Sequence, residues 1–116
     1  MQDIKEAVTI GRRAFSLTQR ALAARADVTV NTVSKAEAGG TITLESAHKL
    51  LAAIGKAARE ARRSRNLTRA EVARRCKLDP EIVTSVEEGR VIAAGLLRRV
   101  LAQGLGLEID QPEQVA

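Results

Sequence analysis

RRAFSLTQRALAARADVTVNTVSKAEAG, residues 12–39, returns fifty positions later as RRSRNLTRAEVARRCKLDPEIVTSVEEG, residues 62–89, without a gap. Nine of the 28 aligned positions are identical: Arg12/Arg62, Arg13/Arg63, Leu17/Leu67, Thr18/Thr68, Ala23/Ala73, Arg25/Arg75, Val33/Val83, Glu37/Glu87 and Gly39/Gly89. Others keep their character, as in Leu22/Val72, Val28/Leu78, Ser34/Thr84 and Ala36/Val86. A fixed internal period implies one supersecondary unit present more than once. The chain therefore reads as two tandem copies of one small helical unit.

Within each copy the signals are those of short helices. Residues 3–15 form a first helix with Ile4, Val8 and Phe15 inward. Thr18 caps a second, because its hydroxyl can accept an amide that the first helical turn leaves unpaired. Leu22, Ala23 and Ala26 recur on one face of it. Residues 27–28 make a turn. Thr29 caps a third helix over 30–38 with Val33 and Ala36 buried, and Gly39 and Gly40 end it, glycine accepting the left-handed conformation there. Thr43 caps a fourth over 44–54 with Ala47, Leu50, Leu51 and Ile54 inward, and Gly55 closes the unit. Copy two repeats the plan: helices over 57–65 and 68–76, then one capped by Asp79 with Pro80 at its first position. Gly89 ends it and a helix over 96–103 follows. The join at 55–56 is short and lacks linker composition, so one helix can run into the next. The expected division is unit one at 1–55, unit two at 56–109 and a flexible tail at 110–116. Chain ends rarely order unless tied down.

Composition agrees with an all-α fold of two lambda-repressor-like helix-turn-helix units of four to five short helices each. Phe15 is the single aromatic residue, and the apolar set is dominated by Ala and Leu, strong helix formers. With 116 residues the chain holds one ordinary domain or two very small ones. A unit of about 50–60 residues buries only roughly 60% of its unfolded surface, so two such units should pack on each other or on a second chain. The formal net charge is +5. The cations crowd together as Lys56, Arg59, Arg62, Arg63, Arg65, Arg69, Arg74, Arg75 and Lys77, against Glu60 and Glu71. Such a stripe is the footprint of a polyanion binder, or else a solvated helix face. A membrane surface would want Trp or Phe anchors and a large hydrophobic face, which this stripe lacks.

One helix of small residues, a tight turn, then a capped helix with exposed polar side chains describes a helix-turn-helix. In that motif the second helix enters the major groove. The sequence resembles the Cro/CI-like (XRE) helix-turn-helix family. The resemblance rests on Leu17, Thr18, Gln19, Leu22, Ala23, Val28, Thr29, Thr32, Val33, Ser34, Lys35, Glu37 and Gly39, followed by a helix ending Leu50-Leu51-Ala52-Ala53-Ile54-Gly55. It covers copy one almost completely. It implies that Val30, Asn31, Ser34 and Lys35 face base edges. Asn31 would pair with adenine, Val30 would touch a thymine methyl, and Lys35 would reach guanine or a phosphate. It also implies phosphate contacts from Gln19, Thr29, Thr32, Gly39 and Thr41, with Gln19 bracing the reading helix and Glu37 and Val33 structural. The plain alternative for Asn31 and Lys35 is an ordinary exposed helix face.

Copy two departs from this pattern. Where copy one has Thr29-Val30-Asn31, it has Asp79-Pro80-Glu81, with Glu87 and Glu88 at the far end of the same helix. Carboxylates suit a helix start but not a phosphate-lined groove. Arg69 replaces Gln19 and remains a good phosphate partner. Copy one is thus the expected reader, while copy two clamps phosphates, dimerises or offers an acidic face to a protein.

The function expected is a sequence-specific, double-stranded DNA-binding transcriptional regulator, acting as a homodimer on half-sites about one helical turn (~34 Å) apart or as a single-chain pseudo-dimer. Repression by occlusion is the preferred mode, and activation through copy two the other. The alternative is a protein-binding regulator reusing the fold: an antiactivator, an antitoxin or a factor contacting RNA polymerase. An enzyme is not expected, since there is no metal-ligand cluster, phosphate-cradling loop or nucleophile with a base. No cofactor, metal or effector is expected. Cys76 reads as a small core residue aligned with Ala26, and His48 as structural. The single cysteine precludes an intrachain disulfide, which fits a reducing cytosol. With no signal peptide or bilayer-length apolar run, the expected location is cytoplasmic, bacterial or phage-type and nucleoid-associated.

Overall fold

In a computed structural model, residues 2–90 and 93–109 are described. The expected tail at 110–116 lies outside them. The described residues are helical, without strand: α1 Gln2–Ala14, α2 Gln19–Ala26, α3 Val30–Glu37, α4 Leu44–Ser64, α5 Arg69–Cys76, α6 Pro80–Glu87, α7 Ala94–Arg98 and a π-helical segment Arg99–Gly104.

Local chemistry sets most boundaries. The hydroxyls of Thr18, Thr29, Thr43 and Thr68 accept the amides of Ala21, Thr32, Ser46 and Glu71 respectively. Thr68 and Glu71 form a reciprocal capping box, the Thr68 amide donating to Glu71 Oε1 at 2.8 Å. Those bonds hold the Glu71 carboxyl below its ordinary range. At the other ends, Ser16, Asp27, Asn66 and Lys77 take left-handed backbone near φ +55°, at 54°, 58°, 56° and 57°. Each turns the chain so that the next amide reaches back five residues, as in Leu17 to Arg12 (2.9 Å) and Leu67 to Arg62 (3.1 Å).

The expected seam between 55 and 56 falls inside α4, one unbroken helix of 21 residues. Gly55 does not close a unit. It sits where the end of α6 crosses α4, and a Cβ there would lie 2.4 Å from the Val86 carbonyl oxygen and 2.5 Å from that of Glu87. Its missing side chain is a close-approach device, not a stop signal.

α1 packs on α3, α4 and α7; α2 on α3 and α4; α4 also on α6; α5 on α6 and the π-helical segment. One continuous core results. Leu22, Val33, Leu50 and Ile54 lie in it with Val72, Cys76, Val83 and Leu101. The inward residues expected on α1 to α4 are buried, except that Phe15 is half-buried at the margin. The helix expected over 96–103 starts as α7 and widens to π pitch, Leu105 bonding back to Val100 at 3.0 Å.

Candidate nucleic-acid interface

A carboxylate at the end of α3 ties its helix to the rest of the unit. Arg12 Nε donates to Glu37 Oε2 at 2.6 Å and Arg12 Nη2 to Glu37 Oε1 at 2.9 Å. Arg12 Nη1 donates to the Leu17 carbonyl at 3.2 Å, and Gln19 Nε2 to Glu37 Oε1 at 3.3 Å. Arg12 and Glu37 together therefore join α1, the turn after it, the start of α2 and the end of α3. A bidentate, charge-assisted pair fixes orientation as well as distance. Gln19 braces α3 in this way, and Glu37 and Val33 are structural.

With that anchor in place, α3 turns Val33 and Ala36 into the core and leaves Asn31, Ser34 and Lys35 exposed. Val30 is half-buried and packs against the core, so it borders this face. The Lys35 stem lies over Gly40, where a Cβ would meet Lys35 Cγ at 2.7 Å. At the helix start, Thr29 Oγ1 accepts the Thr32 amide at 3.1 Å and lies 2.9 Å from Thr32 Oγ1. Gly39 takes φ +86° after the helix, and Thr41 beyond it is exposed. Nine of the ten candidate contact residues thus belong to α2, α3 and the loops flanking α3. A helix start carries partial positive charge, and the amides near it suit an anion.

Arg69, the tenth, stands at the start of α5. Its Nε donates to Glu87 Oε1 at 3.1 Å. Glu87 also receives Arg62 Nε at 2.6 Å and Nη2 at 3.2 Å, and its side chain is only 2% exposed. This corrects the expectation of an acidic far end on the copy-two helix: Glu87 faces inward and is neutralised by two arginines. Arg62 leaves the basic stripe for the same reason. Sequence reasoning did not see this clamp or its counterpart on Arg12. A signal was present, since arginine and glutamate stand 25 positions apart and unchanged in both copies.

The exposed acids of α6 are Asp79 and Glu81 at its start and Glu88 just past its end, the last paired with Arg90 at 2.6 Å. Asp79 stands at the cap position but makes no side-chain cap bond, contrary to its expected role. The Ile82 amide, which a cap side chain would serve, donates to the Asp79 carbonyl at 2.9 Å. The remaining basic residues spread outward: Lys56, Arg59, Arg63 and Arg65 from α4 and its end, and Arg74, Arg75 and Lys77 around the end of α5.

His48, expected to be structural, is exposed on α4. Cys76 is fully buried, its Sγ donating to the Val72 carbonyl at 3.1 Å, and burial pushes the thiol above its ordinary range. Among the described residues no group of three or more His, Cys, Asp or Glu stands ready to hold a metal. Nor is any described helix long and apolar enough to cross a membrane.

Residues 11–58 match a family model described as helix-turn-helix, of the XRE type. That family is DNA-binding and regulatory, and generally non-enzymatic. The matched stretch holds the Arg12–Glu37 clamp, the whole of α2 and α3 and the first two-thirds of α4. No curated protein and no solved structure matched the chain.

Proposed function

We propose that this protein is a sequence-specific, double-stranded DNA-binding transcriptional regulator that works as a homodimer and represses by occluding its site. α3 enters the major groove. Val30, Asn31, Ser34 and Lys35 read base edges; Gln19, Thr29, Thr32, Gly39 and Thr41 hold the backbone, with Arg69 a further phosphate contact from the second unit. The observation that carries this reading is the exposed Asn31–Ser34–Lys35 face on a helix held at its far end by the Arg12–Glu37–Gln19 clamp. The helix-turn-helix match over 11–58 supports it.

The second unit is proposed as a copy of the first that keeps the frame and has lost the reading tip. Its support is the recurrence, fifty residues on, of the threonine cap, the left-handed turn residues and the arginine–glutamate clamp. The difference between the two tips favours two chains, because a single-chain pseudo-dimer would want two similar readers ~34 Å apart.

The test starts from genome-wide mapping of bound sites, followed by affinity measurements on the site found. Asn31→Ala and Lys35→Ala should each cost roughly 1–3 kcal/mol of discrimination. Glu81→Ala and Ser85→Ala should cost little. If the second pair costs more specificity than the first, the reader is α6. Binding should weaken steeply with salt, because phosphate contacts release counterions.

A second reading draws on the exposed Asp79–Pro80–Glu81 tip. Here α6 docks on a protein, such as RNA polymerase or another regulator, and the chain acts as an antiactivator or antitoxin. Absence of any DNA shift at low salt would select it.

A further inference from the structure

Two glycines in a row, Gly39 and Gly40, follow α3, and a lysine stem lies beside each. A Cβ on Gly39 would stand 3.6 Å from Lys5 Cδ, and one on Gly40 would stand 2.7 Å from Lys35 Cγ. Lys35 comes from α3 itself. Lys5 comes from α1, which packs on α3. Seven residues on from Lys5, on the same side of α1, Arg12 grips Glu37 at 2.6 Å. That clamp fixes the end of α3 against α1, and with it the place of Lys5 beside the turn. Lys5 is half-buried, and its ammonium has no ion-pair partner among the described residues. The backbone donors of the two glycines point elsewhere: Gly39 donates to the Ala36 carbonyl at 3.1 Å and Gly40 to the Lys35 carbonyl at 2.9 Å. An anion drawn to this turn is therefore met by side-chain charge rather than by those amides.

We infer that Lys5 is a DNA phosphate contact, a positioning residue that α1 adds beside the turn after α3. The inference rests on the DNA reading above, which already sets the duplex backbone against Gly39 and Thr41, and it names the charge that serves that place. Lysine carries a compact point charge on a flexible stem, which suits a single phosphate. Glycine at 39 and 40 leaves room for both lysine stems along the turn. Lys35 keeps its base-edge role, while Lys5 fixes register, because phosphate contacts position a protein without reading sequence. The second unit gives a comparison inside the same molecule. Fifty residues on from Lys5, Lys35 and Gly40 stand Gly55, Ser85 and Arg90. Gly55 lies under the Val86 and Glu87 carbonyls, and Arg90 pairs with Glu88 at 2.6 Å. The unit with the acidic tip thus lacks both lysines. The reading tip and the backbone anchor are absent together, as they should be if the two serve one duplex.

The test is a salt titration of the full chain on its mapped site and on an unrelated duplex. Lys5→Met keeps the stem and removes the charge. It should weaken binding to both duplexes by the same factor, roughly three- to tenfold at ~0.1 M salt, and lower the slope of log affinity against log salt by about 0.9. The ratio between the two duplexes should not change, and neither should helicity or the unfolding midpoint. Lys5→Arg should keep wild-type affinity and slope. Lys49→Met removes the same formal charge from α4 and should leave the slope as it is. A wild-type slope in Lys5→Met overturns the inference. So does an equal drop in Lys49→Met, which would make net charge the cause. If Asn31→Ala loses discrimination while Lys5→Met changes nothing, the DNA reading stands and the role of Lys5 falls. A wild-type chain that binds neither duplex at low salt removes both.

Discussion

Glu37 and Glu87 occupy equivalent places and do the same mechanical work in different surroundings. Glu37 is 10% exposed and meets one arginine and a glutamine; Glu87 is 2% exposed and meets two arginines. Removing one partner of a buried pair strands the other's charge, at a cost of about 3–5 kcal/mol. Glu87→Ala should therefore destabilise by about 3 kcal/mol in urea unfolding, and Glu37→Ala by clearly less. A reversed order would mean that exposure does not control the clamp. Cys76 gives a second residue-scale expectation. Burial raises its thiol pKa, so the folded chain holds a proton that the unfolded chain releases above about pH 8.5. Its contribution is complete below that pH and fades as pH climbs toward the raised folded value. Chemical unfolding across pH 8 to 10 should thus show a stability loss for wild type that Cys76→Ala lacks. The chain has no tyrosine to confuse the readout.

At the scale of elements, the helix starts were legible because a cap is a local event: a threonine hydroxyl reaches an amide three residues on, and both lie within one short window of sequence. Gly55 was misread for the opposite reason. A mid-helix glycine and a terminating glycine look alike in one dimension, and what distinguishes them here is a carbonyl contributed 31 residues later by Val86. Ordinary helix propensity would favour Gly55→Ala by up to about 1 kcal/mol. The 2.4 Å approach to a backbone oxygen reverses the sign, so the variant should lower the unfolding midpoint. Gly95→Ala in α7 meets nothing within 4 Å and should raise stability by about 0.5–1 kcal/mol. If both glycines respond alike, the crossing of α4 and α6 is looser than the structure has it.

For the whole molecule, α4 is the member common to both halves. It packs with α2, its middle lies under the end of α6, and the core runs through without a gap. A chain of this length with one continuous core should unfold cooperatively. Unfolding followed by helicity and by the reactivity of Cys76 should coincide in a single transition. An earlier transition in either signal would show that the halves melt independently.

The one-dimensional message was enough for most helix starts, the threonine caps, the inward stripes and the polar face of α3. Each of those depends on neighbours three or four residues away. Asn31, Ser34 and Lys35 are exposed because Val33 and Ala36 are apolar at the intervening positions. Contacts made across long stretches of chain were decided only by tertiary structure. They turned Glu87 from an acidic surface residue into the buried centre of a clamp, and they set Gly55 under the backbone carbonyls at the end of α6. In each case the deciding atom belongs to an element distant in sequence, and no local pattern records where that atom will come to rest.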